Sequence, residues 1–303
     1  MINHQGGGPA ARPLRAVVTG ATSGLGLETA RGLAAVGMQV VLAVRDGARG
    51  ARAAEQIFAD HPVAEPQVVV MELSDLDSVR AGGRAIAEDG PVDVLVNNAG
   101  LTVSGPRQTT SQGFELQMGV NHLAHFVLTA ELMSALRLAE RPRVVSVSSL
   151  VHRGAGRLDP SLGSGTPYRS LRGYAQSKLA CGLFGLELAR RAQAVGSPLV
   201  SVVTHPGWTA TALFRPSTAR DVGRTLIATS GPGLAMSAVE GARSQLQAAI
   251  DPDLCGGEFL GPRWLFRGAP RRERAGANMR DQNSARMLWE LSEDRTSTLL
   301  QVA

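Results

Sequence analysis

The feature that most restricts how this chain can fold is a repeated alternation between short apolar runs and longer stretches of helical periodicity. LRAVVT precedes a helical stretch at 24–35, MQVVLAV one at 48–59 and PQVVVMEL one at 76–87. VDVLV precedes a long predicted helix near 113–139, and RVVSVS is followed, after an interruption, by one at 174–194. A sixth run, PLVSVVT, spans 198–204. Strands apolar on both faces need helices on both sides, which points to a parallel sheet. Right-handed crossovers then give an α/β, doubly wound, mostly parallel sheet with helices on both faces, whose ligands lie beyond the carboxyl ends of the strands. A short strand at 258–260 and a terminal helix at 283–292 complete the expectation.

Nothing in the pattern separates a second domain, so 14–303 is expected to be a single domain. Residues 1–13, rich in Gly and Pro, are expected to be a flexible lead-in. Two stretches break the alternation, 150–173 and 208–254, and both are expected to cover a substrate above the strand ends. The net charge of +5 raises nucleic acid as a partner, but the arginines are scattered and aromatic residues are 4%, too sparse for base-stacking platforms. The expectation is no nucleic-acid partner. Cys181 and Cys255 offer neither a disulfide framework nor metal-ligand spacing, so no metal is expected. With no leader and no apolar span of membrane length, the expectation is a cytoplasmic protein with no membrane anchor.

The first run leads directly into TGATSGLG, where Gly20, Gly24 and Gly26 open the helix. A β-carbon there would obstruct the tight turn or the approach of a pyrophosphate to the helix N-terminus. After VVLAV comes Arg45, then Asp46. A guanidinium beside a ribose suits a 2′-phosphate, which favours NADP over NAD, whereas Asp46 either caps the next helix or tolerates NAD. The fourth run closes on Asn97, Asn98, Ala99 and Gly100, small or amide residues that let the chain pass close to a ligand and brace neighbouring backbone.

Tyr174 and Lys178 stand four apart on a predicted helix and so share a face. A phenol near pKa 10 is a poor proton carrier at neutral pH, and a neighbouring ammonium favours its phenolate. Ser148 and Ser149 end the fifth strand at the same sheet edge as the glycine turn, where a hydroxyl can donate to an oxygen gaining negative charge. Together these groups suit general acid/base chemistry beside a dinucleotide.

In this order, TGATSGLG, NNAG, Ser149, YAQSK and HPG resemble the short-chain dehydrogenase/reductase family, a single-domain Rossmann fold, over roughly 14–211. GFELQMGVNHLAHFVLT, VVSVSSLVH, YAQSKLA and HPGWTAT, with GPRWLFRG and ARMLWELSE more weakly, resemble its retinol-dehydrogenase-like branch. The resemblance implies Tyr174 as proton donor or acceptor, Lys178 as the group that lowers its pKa and bonds the nicotinamide ribose, Ser149 as the group polarising the substrate oxygen, and Asn121 as the brace of a water chain from Lys178 to solvent. It implies NADP/NADPH contacts from Thr19, Gly20, Ser23, Gly24, Leu25, Gly26, Arg45, Glu72, Leu73, Asn98, Ala99, Gly100, Tyr174, Lys178, Pro206, Gly207, Thr209 and Thr211. His205 is implied to be a loop position beside the cofactor.

Glu72 stands where relatives usually carry Asp, which keeps the charge but displaces its oxygens from adenine. Ser148 is expected to be structural. Arg153, Arg157, Arg169 and Arg172 in the extended stretch before Tyr174 either bind an acidic substrate or are solvated. The expected activity is NADP-dependent hydride transfer at the carbonyl or alcohol carbon of a hydrophobic small molecule, cyclic ones included, in a homodimer or homotetramer. The alternatives are a non-catalytic dinucleotide-binding regulatory or scaffold protein, and an epimerase or dehydratase using bound NADP.

Overall fold

The computed structural model describes residues 12–62, 65–165, 167–209 and 235–302. Strands β1 (Arg15–Thr19), β2 (Gln39–Val44), β3 (Gln67–Val70), β4 (Val94–Asn97), β5 (Arg143–Val147), β6 (Val200–Thr204), β7 (Phe259–Pro262) and β8 (Pro270–Glu273) form one sheet in the order β3-β2-β1-β4-β5-β6-β7-β8. Every pair is parallel except β7/β8. All residues of β1, β4 and β5 are buried, which explains their unbroken apolar character. The order reverses between β1 and β4, so a crevice opens where the loops after these two strands diverge.

Helices α1 (Gly24–Ala35), α2 (Gly47–Asp60) and α3 (Leu76–Glu88) return the chain between the first strands. Asp46 caps α2 by accepting from the Arg49 amide at 3.0 Å, and Asp75 caps α3 through the Asp77 amide. The long helix expected near 113–139 is interrupted. It consists of α4 (Leu116–Met118), a π turn (Gly119–Leu123), α5 (Ala124–Glu131) and α6 (Met133–Arg137). The Ala124 amide bonds back to the Gly119 carbonyl, an i→i+5 step that inserts one residue into the helix around Asn121.

Helix α7 (Ser170–Ala194) crosses one face of the sheet and packs on α9 (Gln282–Thr296), where buried Trp289 lies under the Arg191 guanidinium at 4.2 Å. On the other face α8 (Ala238–Ile250) packs on α1, with a buried Thr29–Gln245 hydrogen bond of 2.8 Å and Leu246 filling the space over Gly32. The expectation that all of 208–254 covers substrate therefore needs correction: α8 is a framework helix, opened by a Ser237/Glu240 capping box. Residues 210–234, which include Thr211, lie outside the described residues.

Strand β8 was not anticipated. Its sequence, PRRE, has no apolar signature because it is the sheet edge, where charged side chains discourage further pairing. Of the expected lead-in, residues 1–11 also lie outside the described residues. Arg12 grips Asp93 through two bonds of 2.7 and 2.9 Å.

Candidate functional site

A cavity of about 540 Å³ follows the carboxyl ends of the strands, from Arg45 and Glu72 at one end to Tyr174 and Trp208 at the other. Gly20, Ser23, Gly24, Leu25, Gly26, Arg45, Glu72, Leu73, Asn98, Ala99, Gly100, Ser149, Tyr174, Lys178, Pro206, Gly207 and Thr209 all line it. Thr19 and Asn121 stand behind the lining, and Thr211 lies outside the described residues. Among the described residues no His/Cys/Asp/Glu group suits a metal ion.

The glycine turn is shaped by steric necessity. Gly20 and Gly24 have φ of +69° and +57°, a left-handed backbone costly for a residue with a β-carbon. At Gly26 a β-carbon would collide with the Gly20 carbonyl and lie 2.5 Å from Asn98 Nδ2. Ser23 is the N-cap of α1, and its side chain makes no cap bond. The first amides of α1 thus face the cavity as donors, an arrangement suited to a pyrophosphate.

Thr19 explains how the crevice is held at its width. The Asn98 and Ala99 amides donate to its Oγ1 at 3.0 and 2.9 Å, and Asn98 Nδ2 donates to its carbonyl at 2.8 Å. The Thr19 hydroxyl lies 2.9 Å from His125 Nε2. His125 Nδ1 faces the Asn121 carbonyl, which only accepts, so Nδ1 carries the ring proton and Nε2 accepts from Thr19. Burial lowers the His125 pKa to about 4, which keeps the ring in this neutral form. Sequence reasoning missed His125. Its place four residues after Asn121 was the available signal, but the interrupted helix hid which face it takes.

At the Arg45 end, the Arg45 side chain is 74% exposed and its Nε lies 3.9 Å from Glu72 Oε2. Glu72 Oε1 accepts from the Ser74 amide and hydroxyl at 2.9 and 2.8 Å. Glu72 is thus tied to its own turn, and Arg45 is left reaching over the cavity. Asp46 is committed to capping α2.

At the other end Ser149 and Tyr174 are joined by a side-chain hydrogen bond. Burial pushes the Tyr174 pKa up, and the Ser149 bond offsets this in part. This differs from the expected lowering by Lys178. Lys178 is itself buried, which disfavours its cation, and its Nζ donates to the Val147 carbonyl at 3.1 Å. A β-carbon on Gly100 would stand 3.0 Å from Lys178 Nζ, so this glycine leaves the ammonium its room. The Asn121 side chain bonds both the amide and the carbonyl of Leu101, at 2.8 and 3.0 Å, and Ser177 Oγ at 2.8 Å. It thereby ties the loop after β4 to the turn of α7 that carries Lys178. Ser148 donates to the Lys178 carbonyl at 2.7 Å, a bracing role.

The stretch at 150–173 divides. Leu150 and Val151 line the cavity, and His152 is buried behind it. Arg153 lies 3.7 Å from Glu273, while Arg169 and Arg172 border a separate depression of about 290 Å³ beside Glu115 and Tyr168. Trp208, the first residue of the 208–254 stretch expected to cover a substrate, lines the cavity beside Gly207.

Residues 15–221 match the short chain dehydrogenase family. Polyprenol dehydrogenase of Mus musculus is 40% identical over 280 residues, 90% of this chain and 81% of that protein. Retinol dehydrogenase 12 of Homo sapiens is 35% identical over 277 residues, 91% of this chain and 84% of that protein. A crystal structure of an uncharacterized protein from Mycobacterium paratuberculosis, 38% identical, superposes with a TM-score of 0.78 over 95% of this chain and 97% of that one.

Proposed function

Because the chain belongs to the short-chain dehydrogenase family, an oxidoreductase family that binds a nicotinamide dinucleotide, we propose that it is an NADP(H)-dependent oxidoreductase acting on the carbonyl or alcohol carbon of a hydrophobic small molecule, cyclic ones included. The observation that carries this reading is the single cavity that joins the Gly20–Gly26 turn to Ser149, Tyr174 and Lys178. The residues fit the cofactor: Gly26, with no β-carbon, lets the start of α1 pack against the Gly20 carbonyl, the first amides of α1 offer donors for a pyrophosphate, and Arg45 lines the same end of the cavity, where it would meet a 2′-phosphate. The names of the polyprenol and retinol relatives support a lipophilic substrate.

When bound, the nicotinamide supplies a hydride to the substrate carbon in reduction and takes one in oxidation. Tyr174 gives its hydroxyl proton to the substrate oxygen in reduction and takes that proton back in oxidation. Its raised pKa keeps the phenol protonated at neutral pH, the form needed to reduce. Ser149 donates to the same oxygen as negative charge develops there. Lys178, held by the Val147 carbonyl beside Gly100, supplies the positive field that stabilises Tyr174 as it loses its proton. Asn121 fixes the loop and helix between which Lys178 lies.

The test is the loss of NADPH absorbance with a panel of bulky ketones and aldehydes, run beside NADH and Tyr174→Phe. The expected result is consumption that prefers NADPH and requires Tyr174. Confirmed NADPH binding with no consumption across the panel favours the regulatory alternative.

A further inference from the structure

Behind the cavity lies a buried cluster that hydride transfer does not use directly. Glu273 stands opposite Phe259 in the β7/β8 pair, so the two side chains share one face of the sheet. The Phe259 ring lies 5.8 Å from that of His152 and 5.3 Å from that of His205. The Glu273 side chain is only 5% exposed. Its Oε2 is 3.4 Å from His205 Nε2 and 3.7 Å from Arg153 Nη2, and its buried Oε1 has no hydrogen-bond partner among the described residues. A carboxylate in such a place is costly, and an apolar residue facing Phe259 would avoid that cost.

The ring protons show what the carboxylate holds. The Gly207 amide donates to His205 Nδ1 at 3.1 Å. An amide N–H cannot accept, so Nδ1 bears the lone pair and the ring proton sits on Nε2, facing Glu273. Glu273 therefore fixes the His205 ring, and the ring fixes the turn Pro206–Gly207–Trp208 that walls the cavity near Tyr174. On the other side, His152 holds the Ser149 carbonyl twice, through its amide at 3.1 Å and through Nδ1 at 2.6 Å. Arg153, the next residue, reaches back to Glu273.

We propose that Glu273 is a positioning residue: through His205 and Arg153 it sets the Pro206–Trp208 turn and the Ser149 turn against the nicotinamide end of the cavity. This rests on the reading of the cavity as a nicotinamide dinucleotide site. Glu273 does not line the cavity, and its effect should be confined to one end of it, unlike that of a purely structural residue.

The experiment compares binding of NADPH with that of 2′-phospho-ADP-ribose, which keeps the adenosine and pyrophosphate but lacks the nicotinamide ring. In Glu273→Leu, which keeps bulk and removes the acceptor, NADPH binding should weaken about tenfold while the fragment stays within about twofold. Glu273→Gln, whose amide oxygen still accepts from His205, should restore most of the difference. Equal weakening of both ligands, or of neither, overturns the assignment. If Glu273→Leu does not fold, His205→Asn keeps an acceptor for the Gly207 amide but falls short of Glu273. The same selective loss is expected there, and its absence overturns the assignment. A wild-type protein that binds neither ligand contradicts the dinucleotide reading itself, and the proposal with it.

Discussion

The two ends of the cavity are built in different ways. At the first end the Gly20–Gly26 turn is local, a strand, a turn and the first turn of a helix, contiguous in sequence and displaying backbone, with Arg45 and Glu72 joining it from the loops after β2 and β3. The end at Ser149 and Tyr174 is assembled from β5, α7, the loop after β6 and, behind them, β8, and Tyr174, Lys178 and His205 there are buried. Backbone donors at a helix start need little more than glycine to be displayed. Buried side chains need partners, and those partners come from distant sequence. Mutations of the Gly20–Gly26 turn should therefore act on binding of any dinucleotide, whereas mutations at the second end should act on turnover or only on how the nicotinamide half is held.

The largest effect expected is in Tyr174→Phe, which should lose most of the ~10² to 10⁴-fold rate contribution of a positioned acid/base group while retaining NADPH affinity. Steady-state turnover beside a binding titration checks both halves, and unchanged turnover would remove Tyr174 from its role. Next is Gly26→Ala, where the collision with the Gly20 carbonyl forces the turn open. Binding of NADPH and NADH should weaken alike, by about 10- to 100-fold. A change in turnover without a change in affinity would erase the contrast between the ends.

Arg45→Ala sharpens the description of the first end. NADPH affinity should fall about tenfold with NADH little affected, a modest value because the guanidinium is largely in solvent. Glu72→Gln, by removing a competing carboxylate 3.9 Å from Arg45, should shift preference slightly the other way, toward NADPH. Equal response of both cofactors to Arg45→Ala would move the 2′-phosphate contact elsewhere.

The smallest effect concerns acid. His122, His125 and His152 are buried and neutral, with pKa values lowered chiefly by burial to about 3, about 4 and about 4. The unfolded chain takes up these protons near pH 6.5, whereas the folded chain resists until pH 3 to 4, so stability is full above about 6.5 and falls as pH drops through that window. Thermal melting across pH 8 to 4 should be level and then decline. Hydrogen exchange should show both turns braced by buried histidines, the Ser149 turn held by His152 and Thr19 held by His125, loosening in the same pH range. A turn that stays protected through that range would contradict the role given to its histidine.

The same contrast decides what could be read from sequence. The parallel core was legible because β1, β4 and β5 are buried on both faces and therefore continuously apolar. The glycine turn and the Tyr174/Lys178 pair were legible because their spacing along the chain is their geometry. The π turn at Asn121 was hidden because one inserted residue leaves helical periodicity nearly unchanged. Strand β8 was hidden because an edge strand of charged residues reads as loop. Glu273 and His152 were invisible because nothing in local spacing announces that a residue 121 positions away, as the two numbers give, stands in the same buried cluster. The expected pull of Lys178 on Tyr174 took proximity into account but not burial, which acts on both groups.

The most direct test of the central claim follows the hydride itself. NADPH deuterated at nicotinamide C4 is mixed with a ketone that the wild-type protein consumes, and the alcohol product is analysed by mass spectrometry. Hydride transfer assisted by Tyr174 predicts deuterium on the carbinol carbon with the wild-type protein and little product with Tyr174→Phe. Product free of deuterium from either isotopically labelled face, or equal labelled product from Tyr174→Phe, would contradict it.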